Sequence, residues 1–323
     1  MQRKALYGLL LVGLIVAPLA GVYPLFVMKV LCFALFAAAF NLLIGYTGLL
    51  SFGHAMFLAS AGYLTGYTIQ SLNLTPEVGV LAGTVAATAL GIVTGLFAIR
   101  RQGIYFSMVT LALAQMVYFV YLQAPFTHGE DGLQGVPRGK LFGVLSLSSD
   151  LVLYYVVLVV MVLAFLLIVR IVHSPFGQVL GAIKENEPRA VSLGYDTDRF
   201  KLLAFVLSAG LAGLAGSLKV LVLGFETLGD AYWTLSGLVI LMTLVGGMGT
   251  LFGPIVGAVL IVSLEDRLGD IGAALASVTG VDWFNSLGES ATIVTGIIFI
   301  ACVLAFRRGI VGEIVARVRT LRA

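Results

Sequence analysis

Charge is what this sequence has least of. Of its 323 residues, 11% are charged and 60% are hydrophobic, and the mean hydropathy is +1.07. A soluble domain carries about 25% charged residues, so a soluble globular fold is excluded. The net charge is only +3. Its basic residues fall in loops, which gives no nucleic-acid-binding surface. Cysteine is nearly absent, and Cys32 and Cys302 both sit inside apolar runs, where they read as small core residues. No apolar run has Asp or Glu at its centre, where an ion-coupled transporter generally keeps ionisable groups. No G-x-x-x-x-G-K-[ST] occurs, so the chain has no P-loop for ATP. No metal cluster is spelled, and His128 and His173 lie in or beside loops rather than in a triad. The expectation is a non-enzyme with no cofactor of its own; if it transports actively, another chain supplies the energy.

What the chain does have is long apolar runs. They span 5–22, 25–45, 52–70, 78–99, 103–123, 151–172, 202–223, a broken stretch 234–264, and 290–306. Runs near 20 residues match a hydrocarbon core of about 30 Å. Short alternating segments of the β-barrel kind are absent. The fold class predicted is therefore an all-α polytopic membrane protein, one domain over 1–323, with about 8–10 transmembrane helices including discontinuous or re-entrant ones. The 39 glycines suit close helix contact in lipid. The start, "MQRKALYGLLLVGLIVAPLAG", is basic and then apolar. It reads as a retained span rather than a signal peptide, because further spans follow at once.

Loop charge sets the orientation. With the N-terminus in the cytoplasm, the inner loops collect most of the 19 Lys and Arg, in agreement with the positive-inside rule. A single crossing by 234–264 would put the basic tail, 307–323, outside. Gly246, Gly247, Gly249, Gly253 and Pro254 interrupt that stretch, and each arm reads as about 12–15 residues, too short to span. Two short helices that enter from outside and return there restore a cytoplasmic tail. The tail reads as an amphipathic interfacial helix. Lys29 and Lys219, near the outer ends of their spans, are expected to snorkel.

A second interruption, "GYTGLLSFGHA" at 45–55, weakly matches "GGMGTLFGP" at 246–254. Broken helices at corresponding places often face a transported solute; glycines for helix packing are the alternative. The candidate pathway is Gly45, Gly48, Ser51, Phe52, Gly53 and His54 from the first break, and Gly246, Gly247, Gly249 and Gly253 from the second. Asn41, Thr110 and Gln115 join them as polar groups at membrane depth, or else pair with neighbouring helices. His54 either lines the path or caps a helix near the inner surface.

The segment 173–201 is a charged island between apolar runs and is predicted to be a cytoplasmic loop. Ser174 before Pro175 opens one helix to about 185, with Phe176, Val179, Leu180 and Ile183 on one side. Asn186 and Glu187 before Pro188 open a second, which Gly194 ends. Gly181, Ala182 and Ala190 form a small-residue knob flanked by Glu185, Asn186 and Glu187. Such a knob suits a cleft on another protein; a solvated loop without a partner is the plain alternative.

The order G-x-x-x-x-A-I-K-E-N-E-x-x-A-x-x-L-G over 177–194 resembles the ATPase-coupling loop of branched-chain amino acid ABC permeases, closest to their M-type (LivM) subunits. Five further stretches match in family order: 45–63, 103–116, "THGEDGLQGVP" at 127–137, 201–218 and 245–258. Lys184 stands where the family usually has Arg, and either cation would serve an exposed site. The resemblance implies a bacterial inner-membrane importer. A periplasmic binding protein delivers the solute, a homologous second permease subunit completes the path, and two cytoplasmic ATPase subunits bind ATP. Gly177, Ala182, Lys184, Glu185, Asn186, Glu187, Ala190 and Gly194 would then couple to the ATPase. The solute implied is leucine, isoleucine or valine; urea or short-chain amides, or an ATP-independent channel, are the alternatives. The outer loop 124–150 receives the binding protein or covers an outer gate.

Overall fold

The computed structural model describes residues 23–279 continuously, together with 13–18, 21 and isolated positions between 293 and 313. The runs at 5–22 and 290–306 and the tail 307–323 fall largely outside the described residues.

The molecule is an all-α polytopic membrane protein. Its helices are α1 (Pro24–Thr47), α2 (His54–Gln70), α3 (Pro76–Ala98), α4 (Ile104–Gln123), α5 (Asp150–Val172), α6 (Pro175–Glu185), α7 (Glu187–Ser192), α8 (Thr197–Leu223), α9 (Leu228–Ala231), α10 (Trp233–Gly246) and α11 (Gly253–Thr279). Among the described residues, α1, α3, α4, α5 and α8 are long and apolar enough to cross a membrane. α1 is apolar on every side because it is surrounded: Leu35, Phe36, Phe40 and Leu42 are all fully buried. α5, α6, α8, α10 and α11 pack on it. α3, α4 and α5 turn Leu81, Phe97, Met108, Phe119, Val159 and Leu163 outward, as a lipid-facing surface requires.

Small residues set how closely the helices approach. A Cβ on Gly216 of α8 would lie 2.0 Å from the Leu58 carbonyl oxygen of α2. One on Gly213 would lie 2.3 Å from Cβ of Ala87 on α3. Contact this close strengthens dispersion, which drives helix association in lipid.

The second arm of the broken stretch departs from expectation. α10 has 14 residues, but α11 has 27. Apolarity stops at Glu265, Asp266 and Arg267, whereas the helix continues through them. Asp266 instead pairs with Lys29 near the start of α1, at 3.3 Å. The hairpin of α10 and α11 therefore returns to the end of the bundle where α1 begins. Its tip meets the other end, near Gly45 of α1. Gly309 packs on Gly247 at that same tip.

Four two-residue strands cap the end where α1 begins. β1 (Leu133–Gln134) pairs with β4 (Phe225–Glu226), and β2 (Lys140–Leu141) with β3 (Leu145–Ser146), both antiparallel. Thr127 anchors the cap by donating to the carbonyls of Tyr121 and Ala124. Gly132 lies against the Glu226 carbonyl, where a Cβ would come within 2.3 Å.

Candidate functional site

The two glycine-rich breaks, more than 190 residues apart in sequence, meet in space. α1 ends at Gly48, whose φ of 77° is left-handed and whose N–H donates to the Ile44 carbonyl. This is the glycine ending of a helix, open to residues without a Cβ. Asn41 of α1 reaches the other break with both ends of its amide. Its Nδ2 donates to the Thr250 carbonyl and its Oδ1 accepts from the Gly249 N–H, each at 2.9 Å. A Cβ on Gly45 would sit 2.8 Å from the Gly249 nitrogen, so the backbones could not meet with any other residue there. Gly249 itself has φ of 76°.

Each break leaves backbone groups without helical partners, and neighbouring side chains supply them. Thr110 Oγ1 accepts from the Phe52 N–H, and Ser107 donates to the Leu50 carbonyl. Ser51 Oγ accepts from the Gly53 N–H, and Ser236 from that of Ala55. Thr250 bridges the second break by donating to the Gly247 carbonyl and accepting from the Gly253 N–H. Gly53 packs on the Thr110 carbonyl and Gly246 on that of Gly253. Asn41, Ser51 and Thr110 thus hold the breaks in shape. Replacing Asn41 with leucine leaves the Thr250 carbonyl and Gly249 N–H unpaired, at about 1–3 kcal/mol each. The expected result is a clear drop in thermal unfolding temperature in detergent; an unchanged temperature would mean the breaks hold together without it.

His54 neither caps a surface helix nor faces an open path here. It is fully buried, with Phe40, Phe57 and Phe205 edge-on at ring distances of 4.9, 5.5 and 6.1 Å. Ser208 donates to the Ala39 carbonyl, so His54 Nε2 is the donor in its 2.8 Å bond to Ser208. Gln115 is half-buried, and its Nε2 finds no partner among the described residues.

The charged island folds as its start signals predict. Ser174 caps α6 by accepting from the Gly177 N–H, and Asn186 caps α7 by accepting from that of Arg189. Leu180 and Ile183 are buried, and Phe176 stacks on Phe200 at 5.6 Å. Gly177 packs over the last carbonyls of α5, and Gly194, with φ of 89°, follows α7.

Three of the island's side chains depart from expectation. Lys184 does not simply stand in solvent: its Nζ donates to the Gly45 carbonyl at 2.7 Å. The stem is long enough to carry the ammonium from the surface to the last turn of α1, where carbonyls lack helical donors. Glu187 turns toward the bundle, accepting from the buried Lys201 and from Thr197. Ala190 is buried, so the outward knob keeps Gly181 and Ala182 but not Ala190. Glu185 and Arg189 remain exposed beside it, with Val191 and Leu193 54% and 68% exposed.

The sequence reading also missed a cluster at the capped end. Lys219 does not snorkel; it is buried, with Asp230 at 2.6 Å and Glu226 at 3.3 Å. The available signal was charge spacing: two carboxylates follow Lys219 within 11 residues, around the end of an apolar helix.

Residues 24–307 match the family described as the branched-chain amino acid transport system permease component. The LivM high-affinity branched-chain amino acid transport system permease protein of Salmonella typhimurium is 32% identical over 240 residues, 66% of this chain and 55% of that protein. Its counterpart in Escherichia coli K12 is 31% identical over the same shares. A probable LivM permease protein of Methanocaldococcus jannaschii is 24% identical over 205 residues, 60% of this chain and 58% of that protein. The matches thus span little more than half the length of these relatives. No solved structure matches. On the match over 24–307, the chain belongs to the branched-chain amino acid transport system permease family.

Proposed function

We propose that this chain is a membrane-spanning permease subunit of an ATP-driven ABC importer for branched-chain amino acids. A periplasmic binding protein delivers the solute, a homologous second permease subunit completes the path, and two ATPase subunits bind ATP and engage α6 and α7. The chain lies in the bacterial inner membrane with both termini and the island in the cytoplasm. The arrangement is that of a transport subunit rather than an enzyme.

One observation carries this reading. The Lys184 ammonium ties a surface helix to Gly45, and Asn41 ties the same turn of α1 to the second break. A push on the island therefore reaches both breaks through three hydrogen bonds. Alternating access needs such an element, with two arrangements that ATP binding to a partner can bias. The outward face of Gly181, Ala182, Val191 and Leu193 is small and apolar, rimmed by Glu185 and Arg189, and it is the docking surface. Isolation of the chain from its native membrane in mild detergent should bring a P-loop ATPase with it. Leu193→Glu with Val191→Arg should cut the co-purified ATPase about tenfold or more, since a mismatched charge in a desolvated contact costs at least the ~1.4 kcal/mol that a decade represents. Full retention would overturn the docking surface. ATP-independent solute movement by the chain alone would favour a facilitator.

A further inference from the structure

Lys219, Glu226 and Asp230 put two carboxylates against one ammonium under the β1–β4 cap. Asp230 is the better-held partner. It lies 2.6 Å from Lys219 and accepts from both the N–H and the hydroxyl of Thr227. Glu226 is fully buried, and only its Oε2 meets Lys219. Its Oε1 has no partner among the described residues. The carboxylate rests on α2 at Gly62, where a Cβ would lie 2.5 Å from its Cδ. The next residue, Tyr63, is also fully buried, and its hydroxyl has no partner among the described residues. That hydroxyl lies in the field of Glu226 and Asp230. The Tyr63 ring packs 5.1 Å from that of Tyr121.

A staple for the cap would need only Lys219 and Asp230. Glu226 adds a buried acceptor, Tyr63 adds another, and leaving both unmet costs stability. Two oxygen acceptors beside aromatic rings, in a cluster with one negative charge in excess, are the chemistry that recognises an ammonium group. We propose that Glu226 Oε1 and the Tyr63 hydroxyl form a site for the primary ammonium of a passing amino acid, reached when the cap lifts. Burial pushes the Glu226 carboxyl well above the usual carboxylate range, against the pull of Lys219. The site rests on the transport reading for the identity of the ammonium bearer. It separates amino acids from urea and amides, which have no ammonium to offer.

The test is thermal unfolding of the purified complex with L-leucine, 3-methylbutylamine or 4-methylpentanoate. The first two carry an ammonium; the third carries only the carboxylate. Leucine and the amine should raise the unfolding temperature by roughly 2–4 °C at tenfold excess over Kd, and the acid should not. Tyr63→Phe and Glu226→Gln should each abolish the rise. Tyr63→Phe removes a hydroxyl that has no partner among the described residues, and Glu226→Gln keeps the volume and leaves Lys219 on Asp230. The site is overturned if neither ammonium compound shifts the wild-type complex, or if both variants keep the shift. ATP-driven leucine uptake is measured beside it. A complex that shifts but does not transport refutes the transport reading and keeps the site; one that transports without shifting refutes the site.

Discussion

Replacing Lys184 with methionine is expected to lower ATP-driven uptake by about tenfold or more while the ATPase still co-purifies. Methionine keeps most of the apolar stem and removes the ammonium. What is lost is the bond to the Gly45 carbonyl at 2.7 Å. Gly45 lies in the last turn of α1, where carbonyls lack intrahelical donors and the helix dipole favours a cation. A hydrogen bond to a charged group contributes about 1.5–3 kcal/mol, and about 1.4 kcal/mol is a decade in an equilibrium. If that bond carries displacement of α6 into the breaks, its loss separates ATP hydrolysis from movement of the path. Hydrolysis should continue and uptake should fall, which a merely folded or unfolded outcome would not produce. Lys184→Arg should restore uptake, because a guanidinium at the same place also donates to a carbonyl. Unchanged uptake in the methionine variant would remove Lys184 from the coupling route. Loss of the ATPase would make it a docking residue instead.

The parts of this arrangement differ in how far the sequence announces them. α6 and α7 were legible because their signals are local. Ser174 before Pro175, and Asn186 before Glu187-Pro188, place a capping side chain one and two residues ahead of a first-turn proline. The breaks were legible as interruptions, since glycine clusters stand out in apolar runs. Their meeting was not, because Asn41 and Gly249 are brought together by packing of α10 and α11 on α1. Side-chain direction was equally hidden. Lys184, Glu187 and Ala190 share a charged loop, yet each faces the bundle because of what lies beneath it: an open helix end, Lys201, and the surface that α8 offers. Lys219 was misread because hydropathy places it near a span's end, where lysines commonly reach water. Its acidic partners follow the span in what reads as an ordinary loop, and the cap closes over all three. Hydropathy also cut α11 short at Glu265, although helix formation tolerates charges that find partners such as Lys29.

Replacing Gly246 or Gly257 with alanine is expected to remove folded protein from the membrane altogether. A Cβ on Gly246 would lie 1.8 Å from the Gly253 carbonyl oxygen, and one on Gly257 would lie 1.7 Å from that of Met242. Both obstacles are backbone, so no rotamer change relieves them. The arms of the hairpin would have to part, losing the contact that holds helices together in lipid. The cost should exceed the ~1–3 kcal/mol usual for overpacking. It should also release Gly249 and Thr250 from Asn41, so the route from Lys184 would end at α1. Gly237 on α10 and Gly269 on α11 supply the control, because a Cβ at either meets nothing within 4 Å. Alanine there should be neutral or stabilising by up to about 1 kcal/mol, from helix propensity alone. Protein yield and detergent unfolding temperature of the four variants decide the matter. If Gly246→Ala and Gly257→Ala accumulate and melt like the control pair, the arms are not in backbone contact, and the tip of the hairpin cannot be held against α1 in the way its hydrogen bonds require.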